Sequence, residues 1–368
     1  MNSEKILQGD ERAALALRAL YRSYGYTQYK MNKFEEYDLY VQNKDFLISD
    51  NVITFTDTSG KLLALKPDVT LSIVKNAGRR EKLEKVYYQE NVYRISGRTH
   101  AFREIMQVGL ECIGDVDTYC IFEVLTLAAK SLATISQNAV LDVSHLGIVS
   151  AVLDALSVNA DTRRALLTAI GEKNLHEATA IAKEAGVCPE RITVLQKLIS
   201  SYGAPCDVLP QLLPMLEGIV PSETLTGFAT LLTALEASPV GKLIRVDLSV
   251  VGDIGYYNGI VFKGFVAGVP ESLLSGGEYN GLMRKMGKKE NAIGFAVYLD
   301  ALERFMEDKE CFDVDTVVLY GEDTDTAALA DTMAALVAEG KTAIAQRSVP
   351  EKLRYRTLLD LKNAEVAK

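Results

Sequence analysis

The residues that could do chemistry are polar groups set in apolar, strand-like surroundings. In Gln107-Val108-Gly109-Leu110-Glu111, the first, third and fifth side chains share one face if the segment is extended. A Gln and a Glu on one sheet face, with Gly between them leaving room, would floor a pocket for a small polar ligand. The carboxylate could accept a proton from an imidazole or an ammonium group; a solvent-facing sheet surface is the alternative. In Leu65-Lys66-Pro67-Asp68-Val69-Thr70, Asp68 and Thr70 could bind a ligand ammonium or cap the following helix. Tyr256-Tyr257 enters a strand in Gly255-Tyr256-Tyr257-Asn258-Gly259-Ile260, one ring to each face, for a ligand or for packing. Gly276-Gly277-Glu278-Tyr279 reads as a Gly-rich turn, either a binding loop or a plain one.

Other chemistries lack their residues. The three histidines, His100, His145 and His176, have no metal-ligand spacing to one another or to Cys. Cys112, Cys120, Cys188, Cys206 and Cys311 form no CxxC pair and read as reduced thiols. No GxxxxGK[ST] and no strand-following GxGxxG occurs, so the usual phosphate loops are missing. The 368-residue chain is 48% apolar and 24% charged, which excludes a disordered protein, and its cysteines are too sparse for a disulfide scaffold. A net charge of −9 speaks against a large polyanion-binding surface. No apolar stretch of membrane-spanning length is apparent, and the N-terminal segment is polar; both lead to the expectation of a cytoplasmic protein without membrane contact.

The elements that must position these groups read as α+β. Residues 11–25 have helical spacing ending at Gly25. VITFTD and KLLAL read as strands around Thr58-Ser59-Gly60, with a helix restarting over 71–79. KVYYQENVYR (85–94) and IMQVGLECI (105–113) read as strands, and 116–134 as a helix. Residues 148–238 are helical almost throughout, four to six short helices that interrupt the sheet. Strands return at 243–250 and 260–265, and 291–307 begins apolar and becomes helical. After Phe312 a βαβ unit with a short helical tail at 350–363 follows. The expected domains are a core over 1–312, with its helical insertion at about 148–238, and a small unit over 313–368.

Taken in order, LKPDVT, VYYQENVYR, QVGLECIG, YYNGIVF, GGEYNGL and IGFA resemble the catalytic core of histidyl-tRNA synthetase and its paralogues over roughly residues 8–308. The resemblance implies a class II synthetase fold, an antiparallel sheet flanked by helices, and a dimer. It implies that Asp68, Thr70 and Gln107 contact the α-amino group of a bound histidine. By the same resemblance Glu111 and Tyr257 contact the imidazole, and Tyr279 walls the pocket.

The chain departs from the synthetase pattern where ATP would be handled. The R-G-x-D-Y-Y motif is replaced by Gly252-Asp253-Ile254-Gly255-Tyr256-Tyr257, so the Arg position is Gly252 and the acid is Gly255. In G-F-A-x-G-x-E-R the Arg position is Ala301, and Arg304 is one helical turn beyond it. Arg94 matches the first Arg of F-R-x-E-R, but Ile95-Ser96-Gly97 lacks the following acid and base, leaving Arg94 as a residual nucleotide-site candidate. Each lost cation removes on the order of 3 kcal/mol of transition-state stabilisation, so the resemblance implies loss of aminoacylation. The C-terminal region is shorter than a synthetase's anticodon-binding domain, and no tRNA is expected. The pattern is similar to the paralogues that serve as regulatory subunits of ATP phosphoribosyltransferase in histidine biosynthesis. That implies a short-form catalytic subunit as partner, histidine as effector, a homodimer within a hetero-octamer, and no cofactor or metal. The alternatives are a divergent amino-acid-activating ligase and a sensor of another amino acid.

Overall fold

The computed structural model describes residues 9–43, 52–77, 82–95, 101–252, 257–303 and 312–362. The chain divides into two units, Ala13–Phe305 and a smaller one of Met1–Arg12 with Met306–Lys368. In the larger unit the described strands are, in chain order, β1 (Thr27–Gln28), β2 (Phe34–Glu36), β3 (Thr54–Thr56), β4 (Leu62–Leu65), β5 (Leu83–Ile95), β6 (Phe102–Gly114), β7 (Ala139–His145), β8 (Tyr202–Gly203), β9 (Ile244–Asp247), β10 (Ile260–Val266), β11 (Leu274–Glu278) and β12 (Asn291–Tyr298). Nine of these form one sheet in the order β1-β5-β6-β12-β11-β10-β7-β9-β8, while β2-β4-β3 form a small separate one. Every neighbouring pair in the large sheet is antiparallel except β1–β5 and β7–β9. The expected α+β class with a helix-flanked sheet is therefore the observed one.

Each face of the sheet has a different job because side chains alternate along every strand. On one face Tyr87, Leu110, Phe295, Gly276, Phe262 and Val143 follow one another across six strands. Against them lie the helices Gly9–Ser23, which buries Ala13, Ala14, Leu17 and Tyr21 at helical spacing, and Thr118–Ile135. Tyr21 ties the layers together. Its ring meets Phe295 edge-on at 5.9 Å, and its hydroxyl lies 3.0 Å from that of Ser131. The opposite face carries the polar residues discussed below.

The helix Thr118–Ile135 corrects one sequence expectation. Its 18 residues are long and apolar enough, by length and composition alone, to cross a membrane. Its apolarity has a packing cause: the helix lies on β7, β10 and β12, with the insertion helix Ser222–Glu236 also against it, and Val124, Leu125, Leu127, Ala128 and Leu132 are buried. Asp117 caps it, its carboxylate accepting from the Cys120 N–H at 2.8 Å. Asp117→Ala is expected to lower the unfolding free energy by about 1 kcal/mol, read as a lower urea midpoint at unchanged slope.

Between β7 and β9 run six helices, Leu146–Ala155, Ala160–Gly171, Leu175–Glu184, Pro189–Ser200, Pro205–Leu216 and Ser222–Glu236, with β8 inside the insertion joining the sheet edge. Two segments differ from their sequence reading. Residues 243–250 are strand only over Ile244–Asp247, because the Asp247 carboxylate accepts from the Ser249 N–H and hydroxyl and turns the chain. Gly276 and Gly277 lie inside β11, not in a turn. A Cβ on Gly276 would stand 2.4 Å from the Gly294 carbonyl and from Phe295 Cβ, so close strand approach accounts for the glycine there.

In the smaller unit, β13 (Val314–Leu319), the helix Thr326–Ala338 and β14 (Ala343–Gln346) make the βαβ arrangement. The helical tail read over 350–363 is instead β15 (Tyr355–Asp360), parallel to β13. The free side of β13 offers a ladder of unpaired amides and carbonyls, and pairing with it outweighs the local helix propensity of Leu and Arg.

Candidate functional site

The second face of the large sheet is a grid of cross-strand rows. One row reads Val86, Glu111, Gly294, Gly277, Val261 from β5 to β10. The next reads Tyr88, Gly109, Ala296, Ser275, Lys263. A third holds Glu90, Gln107 and Tyr298. This face floors a cavity of about 1130 Å³, walled in part by the insertion helix Ala160–Gly171. The seven residues singled out in the sequence, Asp68, Thr70, Arg94, Gln107, Glu111, Tyr257 and Tyr279, all line it. Gly252 lines it as well, while Gly255, Tyr256, Arg304, Ser96-Gly97, His100 and Cys311 lie outside the described residues, as does the Ala301 side chain.

Glu111 is the centre of the polar network. The Thr70 hydroxyl donates to one carboxylate oxygen at 2.9 Å and the Tyr279 hydroxyl to the other at 2.7 Å. Glu111 is buried, and loss of hydration pushes its pKa up to about 8; the Tyr279 and Thr70 hydroxyls oppose that rise, and the Asp68 charge adds to it. A carboxyl group so poised can hold or give up a proton near neutral pH. Two glycines make the geometry. A Cβ on Gly294 would fall 1.7 Å from a Glu111 carboxylate oxygen. A Cβ on Gly109 would fall 2.5 Å from the Tyr88 hydroxyl oxygen and 2.3 Å from the Phe295 carbonyl oxygen. The room that Gly109 leaves is thus filled by Tyr88 rather than left to a ligand.

Asp68 and Thr70 divide the two roles the sequence offered them. Asp68 caps the helix Thr70–Asn76, accepting from the Leu71 N–H at 2.9 Å, and still faces the cavity. Its pKa is raised, first by burial, with the Leu71 N–H and the Arg94 charge acting against the shift. Thr70 gives its hydroxyl to Glu111 and makes no side-chain cap. Arg94 donates from Nε to the Pro67 carbonyl at 2.9 Å, which fixes it beside Asp68. Tyr257 is half-buried; its ring lies 2.8 Å from where a Gly277 Cβ would stand, so Gly277 leaves space for that ring.

Sequence reasoning missed four contributors. Tyr88 is wholly buried, and burial followed by the Glu111 and Asp68 charges keeps its phenol protonated. Its signal was the alternation of 85–94, which sets Tyr88 and Glu90 on one face. Lys66 is fully buried and donates to Glu90 at 2.8 Å, next to Gln107 in register. Ser275 and Tyr298 hydrogen-bond at 2.8 Å across the floor; neither carries a local signal. Of the other residues considered, His145 packs edge-on against Phe228 at 5.8 Å, Cys112 and Cys120 are buried, and Cys188 and Cys206 are exposed.

The arrangement offers acceptors for an ammonium group at Asp68 and Gln107 and a proton-sharing acid for a ring nitrogen at Glu111. Over residues 7–302 the chain matches the sequence model of a family described as histidyl-tRNA synthetase. An ATP phosphoribosyltransferase regulatory subunit of Alkaliphilus metalliredigens is 26% identical over 288 residues, covering 76% of this chain and 72% of that protein. Among solved structures, an ATP phosphoribosyltransferase regulatory subunit/histidyl-tRNA synthetase from Bacillus halodurans has a TM-score of 0.76 at 22% identity, covering 96% of this chain and 94% of that one. A chain of the ATP phosphoribosyl transferase (HisG:HisZ) complex from Thermotoga maritima has a TM-score of 0.61 at 19% identity, over 78% of this chain and 96% of that one. At these identities the two solved structures bear on the fold.

Proposed function

The chain belongs to the histidyl-tRNA synthetase family, and from that premise we propose that it is a regulatory subunit of ATP phosphoribosyltransferase and not an aminoacylating enzyme. The observation that carries this reading is the contrast inside one cavity. Groups suited to an amino acid converge there, with Glu111 held by Thr70 and Tyr279. The position where the synthetase motif has its arginine is Gly252, with φ +47°. Binding a small amino acid needs the first set; building charge on an α-phosphate needs cations at the second. The relatives named as regulatory subunits support the same assignment.

On this reading the partner is the short catalytic subunit of ATP phosphoribosyltransferase, and the ligand of the cavity is histidine, acting as effector. Asp68, Thr70 and Gln107 receive its ammonium group and Glu111 and Tyr257 its imidazole, with Tyr279 as wall. The assembly is a homodimer of this chain within a hetero-octamer, in the cytoplasm; residues 1–312 carry the binding function. Histidine can shift the partner's activity only by as much as its affinity differs between the active and inhibited assemblies.

The test uses the short catalytic subunit from the same source. Phosphoribosyl-ATP formation is expected to rise at least tenfold on adding this chain and to fall again with histidine. Absence of both activation and co-elution would overturn the reading. ATP–pyrophosphate exchange with histidine is expected to stay at background, and measurable exchange would favour an amino-acid-activating ligase.

A further inference from the structure

The same grid of rows locates a cation for the other end of the ligand. We propose that Lys263 binds the carboxylate of the amino acid held in this cavity; the proposal rests on the histidine reading above and adds the contact that reading lacks.

An amino acid presents a carboxylate as well as an ammonium and a side chain. The binding groups named so far are acids, an amide and hydroxyls, and none carries positive charge. Four described cations line the cavity: Arg94, Arg103, Arg164 and Lys263. Three are already engaged. Arg94 is tied to the Pro67 carbonyl beside Asp68, Arg103 is 3.5 Å from Asp300, and Arg164 is 3.4 Å from Asp161 on the insertion helix. Lys263 has no carboxylate within 4 Å among the described residues. Asp142 stands beside it in register on β7, and the two form no ion pair.

Position favours Lys263 too. It is half-buried in the row of Tyr88, Gly109, Ala296 and Ser275, one row from Glu111 and Gly277. Ala296 and Ser275 are the small residues between it and Gly109. Strands lie about 4.8 Å apart, so Ala296 is about 10 Å from Lys263 across the sheet, and a lysine side chain of about 6 Å reaches most of that way over Ser275. Gly252 points to the same corner: a Cβ there would meet Val261 at 3.5 Å and Tyr257 at 3.6 Å. Val261 precedes Lys263 by two residues on the same face of β10. The corner that Gly252 leaves without a cation for ATP thus lies beside the strand that carries Lys263.

The test pairs a ligand truncation with a residue truncation, in the full-length chain by calorimetry. Histamine is histidine without its carboxylate. Wild type is expected to bind histidine at least tenfold more tightly than histamine, the size of one charge-assisted hydrogen bond. Lys263→Met is expected to collapse that ratio to near one while leaving histamine affinity unchanged, and Lys263→Arg to restore most of it. A preserved ratio in Lys263→Met would overturn the role of Lys263 and leave the histidine reading standing. Equal loss of both ligands, with a native far-UV spectrum, would make Lys263 a structural residue and overturn the proposal. Failure of wild type to bind either compound would overturn both readings together.

Discussion

Glu111→Gln is expected to weaken histidine binding by about 10- to 100-fold, the range for loss of a buried charge-assisted hydrogen bond, and to change its pH dependence. Burial holds Glu111 protonated up to about pH 8, while a free imidazole titrates near 6.5. A productive pair shares one proton between the acid and the ring. Below about pH 6.5 both partners are protonated, above pH 8 neither is, and affinity falls on both sides by about tenfold per pH unit. The alkaline limb combines Glu111 with the ligand's own ammonium, which deprotonates in the same range; the Gln variant should keep only the ammonium's share, and an unchanged slope in that variant would refute the assignment. Stability gives an independent sign. The folded-state pKa of Glu111 lies above its unfolded value near 4.5, so the folded state binds more protons between those limits. Its contribution therefore favours folding least at alkaline pH: stability is lost as pH rises from about 4.5 to 8, in total on the order of a few kcal/mol. Glu111→Gln should gain melting temperature relative to wild type at pH 9 and show little gain at pH 4.5.

Gly294→Ala is expected to be the more damaging change. Its Cβ would sit 1.7 Å from a Glu111 carboxylate oxygen and 2.5 Å from the Leu110 carbonyl oxygen. The first contact expels the Glu111 side chain from its place between Thr70 and Tyr279. The second pushes β12 off β6, where Gly294 and Glu111 are register partners. Overpacking of this kind costs about 3 kcal/mol, and histidine binding should disappear by calorimetry. The two contacts can be separated. In a Glu111→Ala background the carboxylate clash is gone and only the backbone contact remains, so the two substitutions should be clearly non-additive in stability. Gly281→Ala is the control: nothing lies within 4 Å of its Cβ position, in the helix Asn280–Lys285, and the change should be neutral or slightly stabilising. Additive losses in the double variant would show that Gly294 serves the backbone alone.

Much of this molecule was legible in its sequence because its signals are local. The alternation in 105–113 set Gln107 and Glu111 on one face, and the apolar spacing of residues 11–25 gave a core helix. The order of the blocks gave the fold, since order along the chain survives where any single block is ambiguous. Local signals also misled. Gly276-Gly277 looked like a turn because glycine usually marks one, yet these glycines stand where strands and rings approach too closely for a Cβ. The 350–363 tail looked helical because strand pairing is decided by a partner, here β13, far away in sequence.

What the sequence by itself determined was which groups are available: acceptors at Asp68, Thr70, Gln107 and Glu111, tyrosines at 257 and 279, and a glycine where an arginine would serve ATP. Only the tertiary structure decided what state those groups are in. Glu111 becomes a weak acid because burial in the sheet face shuts water away from it, against the opposing pull of the Tyr279 and Thr70 hydroxyls, and desolvation is a property of the enclosure, not of the residue. Lys263 becomes a candidate ligand-binding cation because cross-strand register, which no short stretch of sequence encodes, sets it in the row next to that of Glu111 while the other described cations lining the cavity are already engaged.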